Sequence, residues 1–251
     1  MTSGRAAFIT GCSGGVGEAL CAVFQGAGYS VIGTDRPGAA PTAHCDLFVP
    51  VDLEALVADP SGQDELQRRV EAHLSATGVP LGCLINNAAL QITGDLDSLS
   101  IESFERSHRI NVAAPFLLAK LFDRHLRTSR GSIVNVGSIH TRLTKRGFLA
   151  YSVSKAGLAG LTRALAMEFG AEVTVNTITP GALDTPMLRA GFAEDLHKLD
   201  LLGAHHPIGR IGRPDEIARA ALFLASDAAR FVTGAEIPVD GGIGARLHDP
   251  G

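Results

Sequence analysis

The stretch Thr10-Gly11-Cys12-Ser13-Gly14-Gly15-Val16-Gly17 constrains the fold of this chain more than any other. It follows an apolar run, Ala6-Ala7-Phe8-Ile9, and precedes a segment in which Val16, Leu20, Val23, Phe24 and Ala27 share one helical face. Gly26 and Gly28 end that helix, and Tyr29-Ser30-Val31-Ile32-Gly33 reads as a short second strand. Strand, tight turn, helix and strand within about 30 residues make a βαβ unit. Glycines in such a turn let the backbone approach a pyrophosphate, whose charge a helix N-terminus favours. The spacing is Gly-xxx-Gly-x-Gly, and a purely structural turn is the competing reading.

The alternation continues along the chain. Strands are expected at Phe48 to Leu53, Leu81 to Ile85, Ser132 to Val136, Val173 to Ile178 and Ala235 to Val239. Helices are expected at Glu65 to Leu74, Ile101 to Leu126, Ala150 to Gly170 and Pro214 to Ala225. Near-continuous apolar strands separated by helices predict an α/β fold, a Rossmann-like doubly wound, seven-stranded parallel sheet with helices on both faces. No composition break divides the chain, so residues 1–251 are expected to form one dinucleotide-binding and catalytic domain. Asp35 to Cys45, rich in Pro, Gly and Ala, is expected to be a loop in place of a helix. Thr185 to Gly209 is less regular than its surroundings, and 186–209 is the candidate substrate lid.

Composition narrows the function classes. The net charge of −4 offers no basic surplus for a nucleic-acid backbone. No apolar run approaches the roughly 18 residues of a spanning helix, and the N-terminus lacks the layout of a secretory signal. A cytoplasmic location follows as an expectation, with neither nucleic acid nor membrane as partner. Cys12, Cys21, Cys45 and Cys83 share no CxxC spacing, and nine scattered histidines make no metal pattern, so no metal is expected. They read as isolated thiols, and Cys12 as a buried, passive one although it lies in the glycine turn.

Asp35 ends the second strand, 18 positions after Gly17. A carboxylate there can accept hydrogen bonds from a ribose 2′-OH and would repel a 2′-phosphate, which favours NAD over NADP. Arg36 follows directly and could instead meet a 2′-phosphate. Asp52, with Leu53 beside it, is placed to meet the adenine, and Asp46 competes for that role. Tyr151 and Lys155 lie four apart at the start of a helix and so share one face. A tyrosine titrates near pH 10, and a neighbouring ammonium stabilises phenolate, so Lys155 is expected to lower the Tyr151 pKa. Ser138, 13 residues before Tyr151, is placed to orient a substrate oxygen.

Together these elements resemble the short-chain dehydrogenase/reductase family, in its single-domain branch. The resemblance rests on Thr10 to Gly17, Asn86-Asn87-Ala88-Ala89, Asn111, Ser138, Tyr151, Lys155, Pro180-Gly181 with Thr185, and the closing Val239-Asp240-Gly241-Gly242. It spans residue 6 to about Gly242. It implies a tetrad: Tyr151 as general acid or base, Lys155 lowering its pKa and holding the nicotinamide ribose, Ser138 positioning the substrate oxygen, and Asn111 holding a water. For Asn111 a helix-bending polar residue is the alternative. It implies further cofactor contacts from Gly11, Ser13, Gly14, Gly15, Val16 and Gly17, from Asn87, Ala88 and Ala89, and from Pro180, Gly181, Leu183 and Thr185. The family usually has glycine at Ala89. The resemblance also implies a homo-oligomer, tetramer or dimer, with the tail from Ile243 to Gly251 a candidate cover for a neighbouring subunit's site.

The expected substrate is a small, mainly apolar alcohol or carbonyl compound, met by His140, Phe148 and Met187. Leu183, Leu188 and Phe192 add apolar lining, and Leu90 and Gln91 a further border. Arg142, Lys145 and Arg146 could draw in an anion or could simply be solvated. Two rival readings stand beside an NAD-dependent oxidoreductase: an NADPH-dependent 3-ketoacyl-type reductase, and a non-catalytic NAD-binding sensor or scaffold. His205-His206 lacks a third ligand at metal spacing.

Overall fold

A computed structural model describes residues 4–192 and 196–246. Seven strands form one sheet: β1 (Ala6–Thr10), β2 (Ser30–Asp35), β3 (Leu47–Pro50), β4 (Leu81–Asn86), β5 (Ser132–Val136), β6 (Thr174–Pro180) and β7 (Glu236–Val239). Their order is β3-β2-β1-β4-β5-β6-β7, and every pairing is parallel. The chain winds outward from β1 to β3, then returns to the other side of β1 to continue with β4. The strand order therefore reverses between β1 and β4, and their C-terminal ends open the crevice where ligands of such sheets bind.

Successive side chains point to opposite faces of a strand, and here both faces are covered. Phe8, Ile32, Leu84 and Ile133 face α3 (Pro60–Thr77), α5 (Ala114–Leu121), α6 (Asp123–Ser129) and α7 (Leu149–Phe169). On that side the Phe8 and Phe122 rings lie 4.9 Å apart. Ala7, Ile9, Val31, Ile85 and Val134 face the opposite layer, built from α1 (Gly15–Gly26) and α10 (Pro214–Leu224).

Three departures from the sequence expectation have local causes. The third strand stops at Pro50, because Asp52 turns to cap α2 (Leu53–Leu56), accepting from the Glu54 and Ala55 N–H groups. Pro50 is tolerated because β3 is an edge strand. The helix expected from Glu65 runs from Pro60 to Thr77 and ends on Gly78 at φ 68°, the left-handed cap that glycine supplies. The single helix expected from Ile101 to Leu126 is α4 (Ile101–His108), a π-turn over Arg109–Ala113, α5 and the start of α6. Pro115 has no N–H to return to the Asn111 carbonyl four residues earlier. The Ala114 N–H instead closes a wider turn on the Arg109 carbonyl.

The candidate lid is more regular than expected. It carries α8 (Pro186–Gly191) and α9 (Leu196–Ala204). The loop from Asp35 to Cys45 has no helix, in keeping with its composition. Residues 193–195 of the lid and 247–251 of the tail lie outside the described residues.

Candidate active site

The crevice is fastened by side chains bonded to backbone, and its glycines stand where a Cβ would not fit. Thr10 Oγ1 accepts from the Asn87 and Ala88 N–H groups at 3.0 and 2.9 Å. Asn87 Nδ2 donates to the Thr10 and Gly11 carbonyls, each at 3.0 Å. The ends of β1 and β4 are thus fastened together. A Cβ on Gly11, at φ 65°, would stand 2.9 Å from the Ala88 Cα. A Cβ on Gly17 would stand 2.7 Å from the Gly11 carbonyl carbon and 2.8 Å from the Cys12 Cα. A Cβ on Gly15 would stand 3.3 Å from Thr185 Cγ2, so the turn touches the segment after β6.

Gly14 sits at the N-cap of α1 with no side-chain cap. The helix's first N–H groups are therefore not taken by a capping side chain, as an anion site requires. Asp35 closes β2 beside this turn. Its Oδ2 accepts from the Ser13 N–H at 3.0 Å and its Oδ1 from the Arg36 N–H at 2.8 Å. Ser13 Oγ donates to the Ala40 carbonyl at 2.7 Å, tying the 36–45 loop to the turn. Asp52 spends Oδ1 on its capping role, and Asp46 accepts from the Val31 N–H at 2.7 Å. These groups suit a dinucleotide: close backbone, helix N–H groups, and a carboxylate held by two amides.

Ser138 follows β5 through Gly137, and its Oγ accepts from the His140 N–H at 3.2 Å. Tyr151 lies in the first turn of α7, with Lys155 one turn on. Lys155 is 2 % exposed and donates from Nζ to the Val136 carbonyl at 2.8 Å. Its Nζ lies 5.7 Å from the Tyr151 ring centroid. Burial lowers the Lys155 pKa to about 8. Burial also raises the Tyr151 phenol above its ordinary value, with a hydrogen bond to Ser138 acting in the opposite direction. The free protein therefore departs from the expectation that Lys155 brings Tyr151 down. Desolvation outweighs the Ser138 hydrogen bond, and the Lys155 ammonium gives its own hydrogen bond to Val136.

Asn111 is held on three sides. Its Oδ1 accepts from the Leu90 N–H at 2.8 Å, and its Nδ2 donates to the Leu90 carbonyl at 2.9 Å and to Ser154 Oγ at 2.9 Å. Ser154 Oγ donates to the Tyr151 carbonyl at 2.8 Å, which links Asn111 to the first turn of α7. The side chain is thus occupied, and the π-turn with Pro115 withholds the usual helical donor from its carbonyl. The π-turn around Asn111 agrees with the reading of a polar residue at a helix bend, and its side chain bonds Ser154 of α7. Ser107, Ser154 and Pro115 were not singled out from sequence. Pro115 inside a helical pattern was the available signal.

Aromatic rings wall the approach to Tyr151. His140 stacks on Phe148 at 4.6 Å and 2°, and meets Tyr151 edge-on at 5.6 Å. Lys145 Nζ lies 4.6 Å over the Phe148 ring. Burial and the Lys145 charge lower the His140 pKa, which favours the neutral ring. Arg142 instead pairs with Glu236 at 3.4 Å. Met187 is exposed on α8, whose first turn is capped by Thr185 Oγ1 at 3.2 Å from the Leu188 N–H. Pro180 ends β6, and Leu183 packs into the core layer beside α1 and α10.

The thiols are less scattered than their spacing suggested. Cys12 is buried, Cys21 Sγ lies 3.8 Å from Cys45 Sγ, and a Cβ at Gly33 would collide with the sulfurs of both Cys12 and Cys45. Hydrogen bonds among the three draw Cys12 down and push Cys21 up.

The profile described as "Enoyl-(Acyl carrier protein) reductase" matches residues 11–244. The chain is 35 % identical over 244 residues to a 3-oxoacyl-(acyl-carrier-protein) reductase of Pseudomonas aeruginosa, covering 96 % of this chain and 97 % of that one. The ligand-free aldohexose dehydrogenase of Thermoplasma acidophilum superposes with a TM-score of 0.87 at 28 % identity, covering 99 % of this chain and 97 % of that one. The 3-ketoacyl-(acyl-carrier-protein) reductase of Brucella melitensis complexed with NADH gives 0.82 at 28 % identity, with 97 % and 100 % covered. Sheet order, glycine turn and near-complete coverage agree: this chain belongs to the short-chain dehydrogenase/reductase family and is an oxidoreductase of the CH–OH/carbonyl type.

Proposed function

We propose that the chain is an NAD-dependent oxidoreductase interconverting a secondary alcohol and a carbonyl on a small, mainly apolar substrate. The observation that carries this reading is the convergence of Tyr151, Lys155 and Ser138 at the C-terminal edge of β5, on the same sheet whose β2 ends in Asp35. Bound nicotinamide supplies or accepts the hydride. The protein's own groups handle the proton. In reduction, the Tyr151 hydroxyl gives its proton to the substrate oxygen, and the high phenol pKa keeps that proton available at neutral pH. In oxidation, Tyr151 takes the proton from the alcohol, so phenolate must form first. Lys155 holds a charge next to that phenolate, and Ser138 orients the substrate oxygen. Asn111 offers the backbone carbonyl for a water between Lys155 and solvent.

Asp35 supports NAD, because its fixed carboxylate would face the 2′-phosphate of NADP. Gly11, Ser13, Gly14, Gly15, Val16 and Gly17 would hold the cofactor's pyrophosphate, with Arg36, Asp52 and Leu53 toward its adenosine. Asn87 and Ala88 would pass behind the adenosine ribose with Ala89 beside them, and Pro180, Gly181, Leu183 and Thr185 would meet the nicotinamide carboxamide and the pyrophosphate. His140 and Phe148 form the apolar substrate wall, with Met187 on the lid, 186–209. Residues 1–251 act as one domain. The likeness to 3-oxoacyl reductases, with Arg36 next to Asp35, favours an NADPH-dependent 3-ketoacyl-type reductase as the second reading. A cofactor sensor has no chemical need of the whole Ser138, Tyr151, Lys155 and Asn111 set. Exposed Phe116 on α5 and Val153 and Met167 on α7 support a homo-oligomer through the long helices, which size-exclusion chromatography tests. Among the described residues no helix is long and apolar enough to cross a membrane.

The test is a screen of secondary alcohols with NAD+, followed by absorbance of NADH, on the wild type and on Tyr151→Phe. Turnover should fall by about 10²–10⁴ in the variant, with NADH affinity unchanged within twofold. A variant that keeps near-normal turnover removes Tyr151 from the proton step.

A further inference from the structure

We propose that His206 is a positioning residue that pins the loop after β6, and so the nicotinamide end of the site, to the end of lid helix α9. The inference rests on the cofactor reading above.

His206 is 1 % exposed. Its Nδ1 hydrogen-bonds the Leu202 carbonyl in α9 at 2.9 Å. Its Nε2 accepts from the Ala182 N–H at 3.2 Å. A carbonyl can only accept and an amide N–H can only donate, so these two partners select one neutral tautomer, protonated at Nδ1. One ring thereby joins two separate elements, and each nitrogen is spent on a different one.

The loop it meets has no slack. A Cβ on Gly181 would stand 3.0 Å from His206 Nε2 and 2.9 Å from the Asp240 carbonyl oxygen. The Ala182 carbonyl accepts from the Gly212 N–H at 2.8 Å, and the Gly212 carbonyl accepts from the Asp184 N–H at 2.8 Å. The Ala182 N–H is thus the donor on which His206 closes the hydrogen bonding of this residue. Three residues on, Thr185 packs against Gly15 of the phosphate turn. A displacement at Ala182 is therefore transmitted along the strip that faces the nicotinamide half of the cofactor. The adenosine half would rest on Asp35, Ser13 and the 36–45 loop, while the partners of His206 are Ala182 and Leu202.

That division sets the experiment. Asparagine places its polar atoms near the Nδ1 position and keeps the bond to Leu202, while glutamine reaches the Nε2 position and can accept from Ala182. NADH and ADP-ribose, which lacks the nicotinamide ring, are titrated calorimetrically into the wild type, His206→Asn and His206→Gln. The expected result is NADH binding weakened about three- to tenfold in His206→Asn, the loss of one hydrogen bond. ADP-ribose affinity stays within twofold of wild type, and His206→Gln restores most of the NADH affinity. Parallel weakening of both ligands, or no change in either, overturns the proposal. Wild-type protein that binds neither ligand overturns the cofactor reading and this one with it. If His206→Asn does not fold, amide exchange in the wild type decides. Protection at Ala182 supports the pin, and exchange as fast as in an exposed loop overturns it.

Discussion

Lys155→Met should make the protein more stable and inactive at once. The substitution keeps an unbranched side chain of similar length and removes a charge that is 2 % exposed. Burial takes the Lys155 pKa from 10.5 to about 8. At 1.36 kcal/mol for each tenfold change in proton affinity, carrying that charge at neutral pH costs the fold about 3 kcal/mol. Methionine relieves the cost but gives up the charge-assisted hydrogen bond to the Val136 carbonyl, worth about 1.5–3 kcal/mol. A net gain of up to about 1.5 kcal/mol remains, or up to roughly 6 °C in Tm for a chain of this size.

The same linkage fixes a pH signature. The folded pKa lies below the unfolded one, so between them the unfolded chain binds the extra proton and wild-type stability rises with pH. The advantage of Lys155→Met should be full below pH 8 and should shrink toward pH 10.5. Differential scanning fluorimetry of the two free proteins across pH 7–10 measures this. A folded variant that melts below wild type at pH 7, or a gap that stays constant to pH 10, refutes the reasoning.

Alcohol oxidation should accelerate as pH rises and carbonyl reduction should slow, because burial raises the Tyr151 pKa and only oxidation needs the phenolate; initial rates in both directions check the opposite slopes. Asp35→Ser should shift cofactor preference toward NADPH by on the order of tenfold, and an unchanged NADH/NADPH ratio would move discrimination to Arg36. Gly17→Ala forces a methyl onto the Gly11 and Cys12 backbone, so urea unfolding should show a loss of about 1–3 kcal/mol and NADH binding should weaken at least tenfold. Wild-type stability and affinity in that variant would contradict the tight turn.

The strands were legible because a sheet buried on both faces writes itself as apolar runs, and Ala6 to Ile9, Leu81 to Ile85 and Ser132 to Val136 each lie within the strand found there. The βαβ turn was legible because only glycine fits Gly11 and Gly17. What escaped depended on contacts distant in sequence or on backbone bonding. The period of Ile101 to Leu126 runs straight through Pro115, yet the missing N–H of that residue and the bonds of Asn111 reshape the helix. Spacing placed Lys155 beside Tyr151 but could not show how deeply the phenol is buried, and burial sets the direction of its pKa. Cys12, Cys21 and Cys45 come together only once α1 and the 36–45 loop are packed. His206, in an unremarkable His-His-Pro run, proves to be buried with both nitrogens engaged.

The central claim is a nicotinamide oxidoreductase whose Asp35 selects NAD. Parallel calorimetric titration of the purified protein with NADH and NADPH tests it without knowledge of the substrate. The account predicts saturable NADH binding at least tenfold tighter than NADPH. Tighter NADPH binding would contradict the role of Asp35 and favour the 3-ketoacyl-type reductase, and binding of neither by folded protein would contradict the function proposed for this site.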